Sequence, residues 1–148
     1  MPRRPPVGLL AVALVAACGG GRPLAPVPVQ PVATLSARQV ATCGAVSAKL
    51  PDEIALAVAR RSTDPDSPGT AAWGDPPIVL RCGVATGSAR DDAYEFDGVR
   101  WAMHDTGATR TWTTLSRPVS VQVVIPDSYR NQAEILGALA GALAPTAG

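Results

Sequence analysis

The sequence has few of the residues that most often carry chemistry. Its 148 residues include one His, three Cys and six aromatic side chains. Each scarcity removes a class of function. The single His104 cannot build an HxxH site, and Cys18, Cys43 and Cys82 lie far apart with no CxxC spacing. No metal and no cofactor are expected. There is no Walker loop, no G-x-G-x-x-G and no Gly-x-Ser-x-Gly turn. No apolar run reaches the roughly 20 residues that a membrane-spanning helix needs. Charge is also scarce: 13 basic and 12 acidic residues leave a net +1. That balance argues against nucleic acid as a partner, because phosphate neutralisation needs a strong basic excess.

The strongest positive signal stands at the N-terminus. Met1–Gly8 contains Arg3 and Arg4 and no acid, Leu9–Val15 is apolar, and Val15-Ala16-Ala17-Cys18 follows at once. This is the order of a secretory signal with a small-residue cleavage site. An aliphatic residue, two small residues and a Cys also resemble the lipobox of bacterial lipoproteins. The plainer alternative is an ordinary signal peptide that happens to end at a Cys. The lipobox reading makes residues 1–17 a leader and Cys18 the lipid acceptor. The membrane is then a partner through that lipid, and the domain sits on the extracytoplasmic face. Each buried methylene contributes about 0.8 kcal/mol, so two or more acyl chains give a stable anchor. Cleavage removes Arg3 and Arg4 and leaves 131 residues with 11 basic against 12 acidic side chains. That length suits one domain.

Gly19-Gly20-Gly21 and then Pro23, Pro26, Pro28 and Pro31 show no hydrophobic period. Residues 18–33 therefore read as lipidated Cys plus tether, favouring extended polyproline II. Residues 34–148 are the expected globular domain. Ser36 and Gln39 match a capping box, and Val40, Cys43, Ser47 and Leu50 share one helical face up to Pro51. A weaker helical turn is expected over Asp52–Ala59, and a loop over Arg60–Ala72. Ile78–Val84 is an apolar strand. Asp97-Gly98 between two short strands is a type I′ hairpin signal. Thr109–Leu115 and the alternating Val119–Ile125 are further strands. A last helix over Ala133–Ala144 places Ile135, Leu139 and Leu143 on one face. Gly137 and Gly141 suggest close helix-to-sheet packing. The expected fold class is α+β, an antiparallel four- to five-stranded sheet with the N-terminal and C-terminal helices on one face.

Cys43 and Cys82 remain after Cys18 is assigned to lipid. An even pair in an exported domain is expected to be a disulfide, and both residues point into the same apolar layer. Two separately buried thiols are the alternative. Alternation along the strands puts Arg81 on the face opposite Cys82. Arg100, His104, Arg110 and Trp112 are expected on that same outer face, a set suited to anionic or sugar-like ligands. The blander reading is a solvated sheet face. His104, Asp105 and some Ser could form a hydrolase on paper, but no motif brings them together. The expected role is non-enzymatic, with a cell-wall component or another envelope protein as partner. The alternative is an envelope hydrolase using His104.

Three stretches together resemble a known family. They are Ala71-Ala72-Trp73-Gly74-Asp75-Pro76-Pro77-Ile78-Val79-Leu80-Arg81-Cys82-Gly83-Val84, Asp97-Gly98-Val99-Arg100-Trp101, and Thr111-Trp112 with Arg117-Pro118-Val119 and Pro126. With Cys43 in a helix ending Leu50-Pro51, they are similar to an actinobacterial family of small secreted proteins and lipoproteins, a domain of unknown function. The resemblance implies export and a Cys43–Cys82 pair. It implies no activity, substrate or catalytic residue.

Overall fold

The computed structural model describes Met1, residues 23–88 and residues 91–144. The expected leader and Cys18 lie outside the described residues. Among the described residues the elements run β1 (Val27–Pro28), α1 (Ala37–Ser47), β2 (Glu53–Ile54), β3 (Val58–Arg61), β4 (Thr63–Asp64), β5 (Thr70–Trp73), β6 (Ile78–Val84), β7 (Asp92–Phe96), β8 (Val99–Asp105), β9 (Thr109–Thr114), β10 (Ser120–Pro126) and α2 (Gln132–Leu143). Eight strands form one antiparallel sheet in the order β2-β3-β5-β6-β10-β9-β8-β7, and β1 pairs with β4 in parallel. The expected α+β class with a four- to five-stranded sheet is therefore corrected. The described residues are mostly β, with two helices beside the sheet.

The missing strands have identifiable causes. Asp52–Ala59 forms a tight β2–β3 hairpin in place of a helical turn, with Ile54 paired to Val58. Its turn uses Leu56 at φ 55° and Ala57 at φ 59°. Side chains with a Cβ rarely adopt that region, and without Gly or Asn the residue types carry no turn signal. β5 is buried at all four positions, so it shows no alternation. Trp73 enters the main core, whereas Ala72 packs on the other face against Val27 and Val29. The Val27 and Val29 amides donate to Ser62 O (2.9 Å) and Asp64 O (3.0 Å). Residues 27–29, assigned to the tether on sequence grounds, are thus docked on the sheet.

The longer elements fall close to their expected places. β6 spans Ile78–Val84, and Asp97 and Gly98 turn between Phe96 and Val99, both at positive φ. Leu80, Cys82, Trp101, Val121 and Val123 face one way and pack with Ile135, Leu136, Leu139 and Leu143 of α2. Burying each such side chain contributes about 1.5–3 kcal/mol. Asp97 Oδ2 lies against Gly137, where a Cβ would collide with it, while Gly141 has open space. Only the first of the two glycines marks a close approach.

α1 begins as expected. The Gln39 amide donates to Ser36 Oγ, and the Ser36 amide donates to Gln39 Oε1. Its apolar stripe is not buried throughout, since Val40 is 49 % exposed and Cys43 is the buried residue of the helix. At that point Cys43 is disulfide-bonded to Cys82, with Cα atoms 5.6 Å apart. Closing a loop of 39 residues stabilises by about 4 kcal/mol on the chain-entropy model. Gly69, at φ +87°, lies over the bridge; a Cβ there would be 3.1 Å from Cys43 Cβ and 3.3 Å from Cys82 Cβ.

Candidate functional site

The register divides the expected ligand face into two. Arg81 is paired with Gln122, which is opposite Thr113, which is opposite Ala102. Arg100 and His104 alternate with Trp101 and Met103 on β8, so Arg81, Arg100 and His104 share the outer face. Trp112 lies opposite Val123 and Met103 and points to the inner side. Arg110, two residues earlier, goes with it. The expectation that all five formed one platform is corrected for Arg110 and Trp112. β9 reads Thr-Arg-Thr-Trp-Thr-Thr, which is compatible with either facing until its partners set the register.

On the outer face Arg81 Nη2 donates to Gln122 Oε1 at 2.6 Å. His104 is exposed and paired across the strands with Thr111. Its chain neighbour Asp105 points to the opposite face. The Asp105 carboxylate accepts from the Gly107 amide at 2.6 Å and from Arg110 Nε at 2.9 Å. The Gly107 amide, followed by Arg110, holds this carboxyl below its ordinary value of 3.8. His104 and Asp105 are therefore not assembled as a relay.

Arg110 and Trp112 line a shallow recess of about 240 Å³ beside the start of α2. Tyr94, Phe96, Met103, Arg130, Gln132 and Ala133 complete it. β7 supplies Tyr94 and Phe96 at alternate positions, with nearly parallel rings whose centroids are 6.3 Å apart. Each meets Trp112 edge-on, at 5.4 Å and 5.6 Å. Tyr94, on the edge strand β7, is 41 % exposed. Trp112 is buried, and its Nε1 donates to Gln132 Oε1 at 2.8 Å. Gln132 is only 6 % exposed, and its Nε2 has no hydrogen-bond partner among the described residues. Leaving such a buried donor unpaired costs about 1–3 kcal/mol. Arg110 also bridges to Asp127 at 3.1 Å, and Arg130 approaches Asp127 at 4.0 Å. Asp105 and Asp127 thus offset the two cations.

Sequence reasoning found Arg110 and Trp112 but assigned them to the wrong face, and it missed Tyr94, Phe96, Arg130 and Gln132. The i, i+2 spacing of Tyr94 and Phe96 beside the Asp97-Gly98 turn was the available signal. A larger groove of about 510 Å³ runs between α1, α2 and the loop after β9. There Arg117 donates from Nη1 to the Leu143 carbonyl, a cation at a helix C-terminus. Burial lowers the pKa of Arg117. Among the described residues no His, Cys, Asp and Glu cluster could hold a metal ion.

The profile of a protein of unknown function, DUF3515, matches residues 5–146. The chain belongs to that family. No curated protein and no solved structure matches it. The family span includes the buried Trp73, whose Nε1 donates to the Pro51 carbonyl at 3.0 Å, and the Cys43–Cys82 bridge. The Trp73-Gly74-Asp75-Pro76 stretch that carries the resemblance ends β5, turns at Gly74 (φ +71°) and leads into β6.

Proposed function

We propose that this DUF3515 domain is a lipid-anchored, extracytoplasmic binding domain of the cell envelope. The observation that carries the reading is the Cys43–Cys82 disulfide, whose formation suits an oxidising compartment. It accounts for two of the three cysteines and leaves Cys18 at the end of an apolar leader, where the lipobox pattern places its acceptor. Among the described residues no helix is long and apolar enough to cross a membrane. The anchor in this reading is the acyl group on Cys18. The resemblance to actinobacterial secreted lipoproteins points the same way. The role is binding to a wall component or envelope protein. The recess at Trp112 supplies an aromatic surface with paired charges, a composition suited to holding a ligand.

The test is expression of the full chain in a lipoprotein-processing host with labelled fatty acid. The wild type incorporates label and partitions into detergent, and Cys18→Ser loses both. Labelling that survives Cys18→Ser removes the anchor from this reading.

A further inference from the structure

We propose that the recess between β7, β9 and the start of α2 binds one ring of an uncharged saccharide. The inference gives a ligand class to the envelope-binding reading and rests on it for the source of that ligand. Its chemistry stands on the recess alone. Four properties select the ligand.

The first is the aromatic surface. Tyr94 and Phe96 present nearly parallel rings, with Trp112 set edge-on behind them. The C–H face of a sugar ring stacks on such rings, and the half-exposed Tyr94 is accessible to it. The second is an uncommitted donor. Gln132 Oε1 is occupied by the Trp112 indole N–H, while Nε2 is paired with nothing among the described residues. A ligand hydroxyl or acetamido carbonyl supplies the acceptor that this amide lacks. The third is charge. Arg110 is matched by Asp105 and Asp127, and Arg130 lies by Asp127, so the recess offers donors and acceptors without a net field. Sugar hydroxyls both give and take hydrogen bonds, as that mixture requires. The fourth is size. A shallow space of about 240 Å³ fits one ring and leaves the rest of a chain outside.

The same observations disfavour other occupants. A quaternary ammonium would suit the aromatic rings, but it neither gives nor accepts a hydrogen bond and leaves Gln132 Nε2 unpaired. At Arg110 a free carboxylate would have to displace Asp105 or Asp127, which leaves only the exposed Arg130 to receive it.

The experiment uses the full chain from a processing host, in detergent. Maltotriose, cellotriose and the N-acetylglucosamine trimer are titrated separately, with glucuronate and choline as comparisons. Indole fluorescence and amide chemical shifts are followed. At least one neutral trimer is expected to saturate, perturbing Trp112 while the deeply buried Trp73 and Trp101 stay unchanged. Tyr94→Ala should raise that Kd about tenfold while thermal unfolding still shows a folded, cooperative domain. Gln132→Glu retains an acceptor for the Trp112 indole and deletes the amide donor. It should weaken binding about tenfold as well. Cys18→Ser should bind the trimer like wild type, which separates failure of the anchor from failure of the recess. Three results overturn the proposal: no trimer saturating by about 10 mM, roughly tenfold above a Kd of about 1 mM; choline or glucuronate saturating in place of every trimer; or Tyr94→Ala binding as tightly as wild type.

Discussion

The two faces of the eight-stranded sheet are covered by different means. The inner face is a continuous apolar layer in which Leu80, Cys82, Trp101, Val121 and Val123 meet α2, with α1 joined through Cys43. The outer face is covered in patches by extended chain. Val27 and Val29 lie over Ala72 and Val79 at one side. The stretch after β6 crosses toward the other side, where a Cβ on Gly87 would sit 2.7 Å from Ala102 Cβ and 3.4 Å from Thr113 Cβ. Between these straps the face carries Arg81, Gln122, Thr111 and His104. A helix needs a broad apolar stripe to dock on. A single extended strap needs only a small residue beneath it, which is why Ala72, Ala102 and Thr113 are buried on a face that otherwise reads as polar.

That contrast makes unequal demands on substitutions. The largest loss is expected at the bridge: Cys43→Ala with Cys82→Ala should lower unfolding free energy by roughly 4 kcal/mol in urea titration. A double variant within 1 kcal/mol of wild type would show that the inner layer holds α1 without its covalent tie. Next comes Gly69→Ala, which strains a left-handed backbone and presses a methyl on the bridge. It should cost more than about 1 kcal/mol by the same titration. An unchanged midpoint would mean that the loop over the bridge moves away freely.

On the outer face, Arg100→Ala and His104→Ala, both at exposed positions, should each stay within about 0.5 kcal/mol, because such surface changes seldom cost more. The comparison between the faces fails if either one destabilises as much as Gly69→Ala. The smallest effect concerns acid. The Gly107 amide and Arg110 hold Asp105 below its ordinary 3.8, so the folded chain binds this proton less readily than the unfolded chain. The stabilisation is complete at neutral pH, starts to fade near 3.8 and is lost as pH falls through the lower folded value. Asp105→Asn should therefore flatten the acid limb of a pH–stability profile and leave the comparison of the two faces intact.

Much of the local architecture was legible because its causes are local. Ser36 and Gln39 cap α1 within four residues, and Asp97-Gly98 sets the β7–β8 turn at two positive φ angles. The C-terminal helix was legible from its apolar spacing, although Asn131 makes no side-chain cap bond. Of the candidate site, Arg110 and Trp112 were legible as residues but not as a place. Tyr94, Phe96 and Gln132 come from β7 and α2, and only folding brings them to Trp112.

Residue types alone thus determined the capped start of α1, the β7–β8 hairpin, the β6 strand and the pairing of Cys43 with Cys82. These depend on torsion preferences and on apolar periodicity over a few residues, which turns Cys43 and Cys82 into the same layer. Tertiary structure decided the eight-stranded sheet, the docking of Val27 and Val29, and the side of the sheet that Trp112 occupies. The physical reason is register. In a strand as evenly mixed as Thr109–Thr114, either face is acceptable by itself, and a shift of one residue exchanges them. The choice is made by the partners, when Val123 and Met103 flank Trp112 and Gln132 accepts its indole N–H.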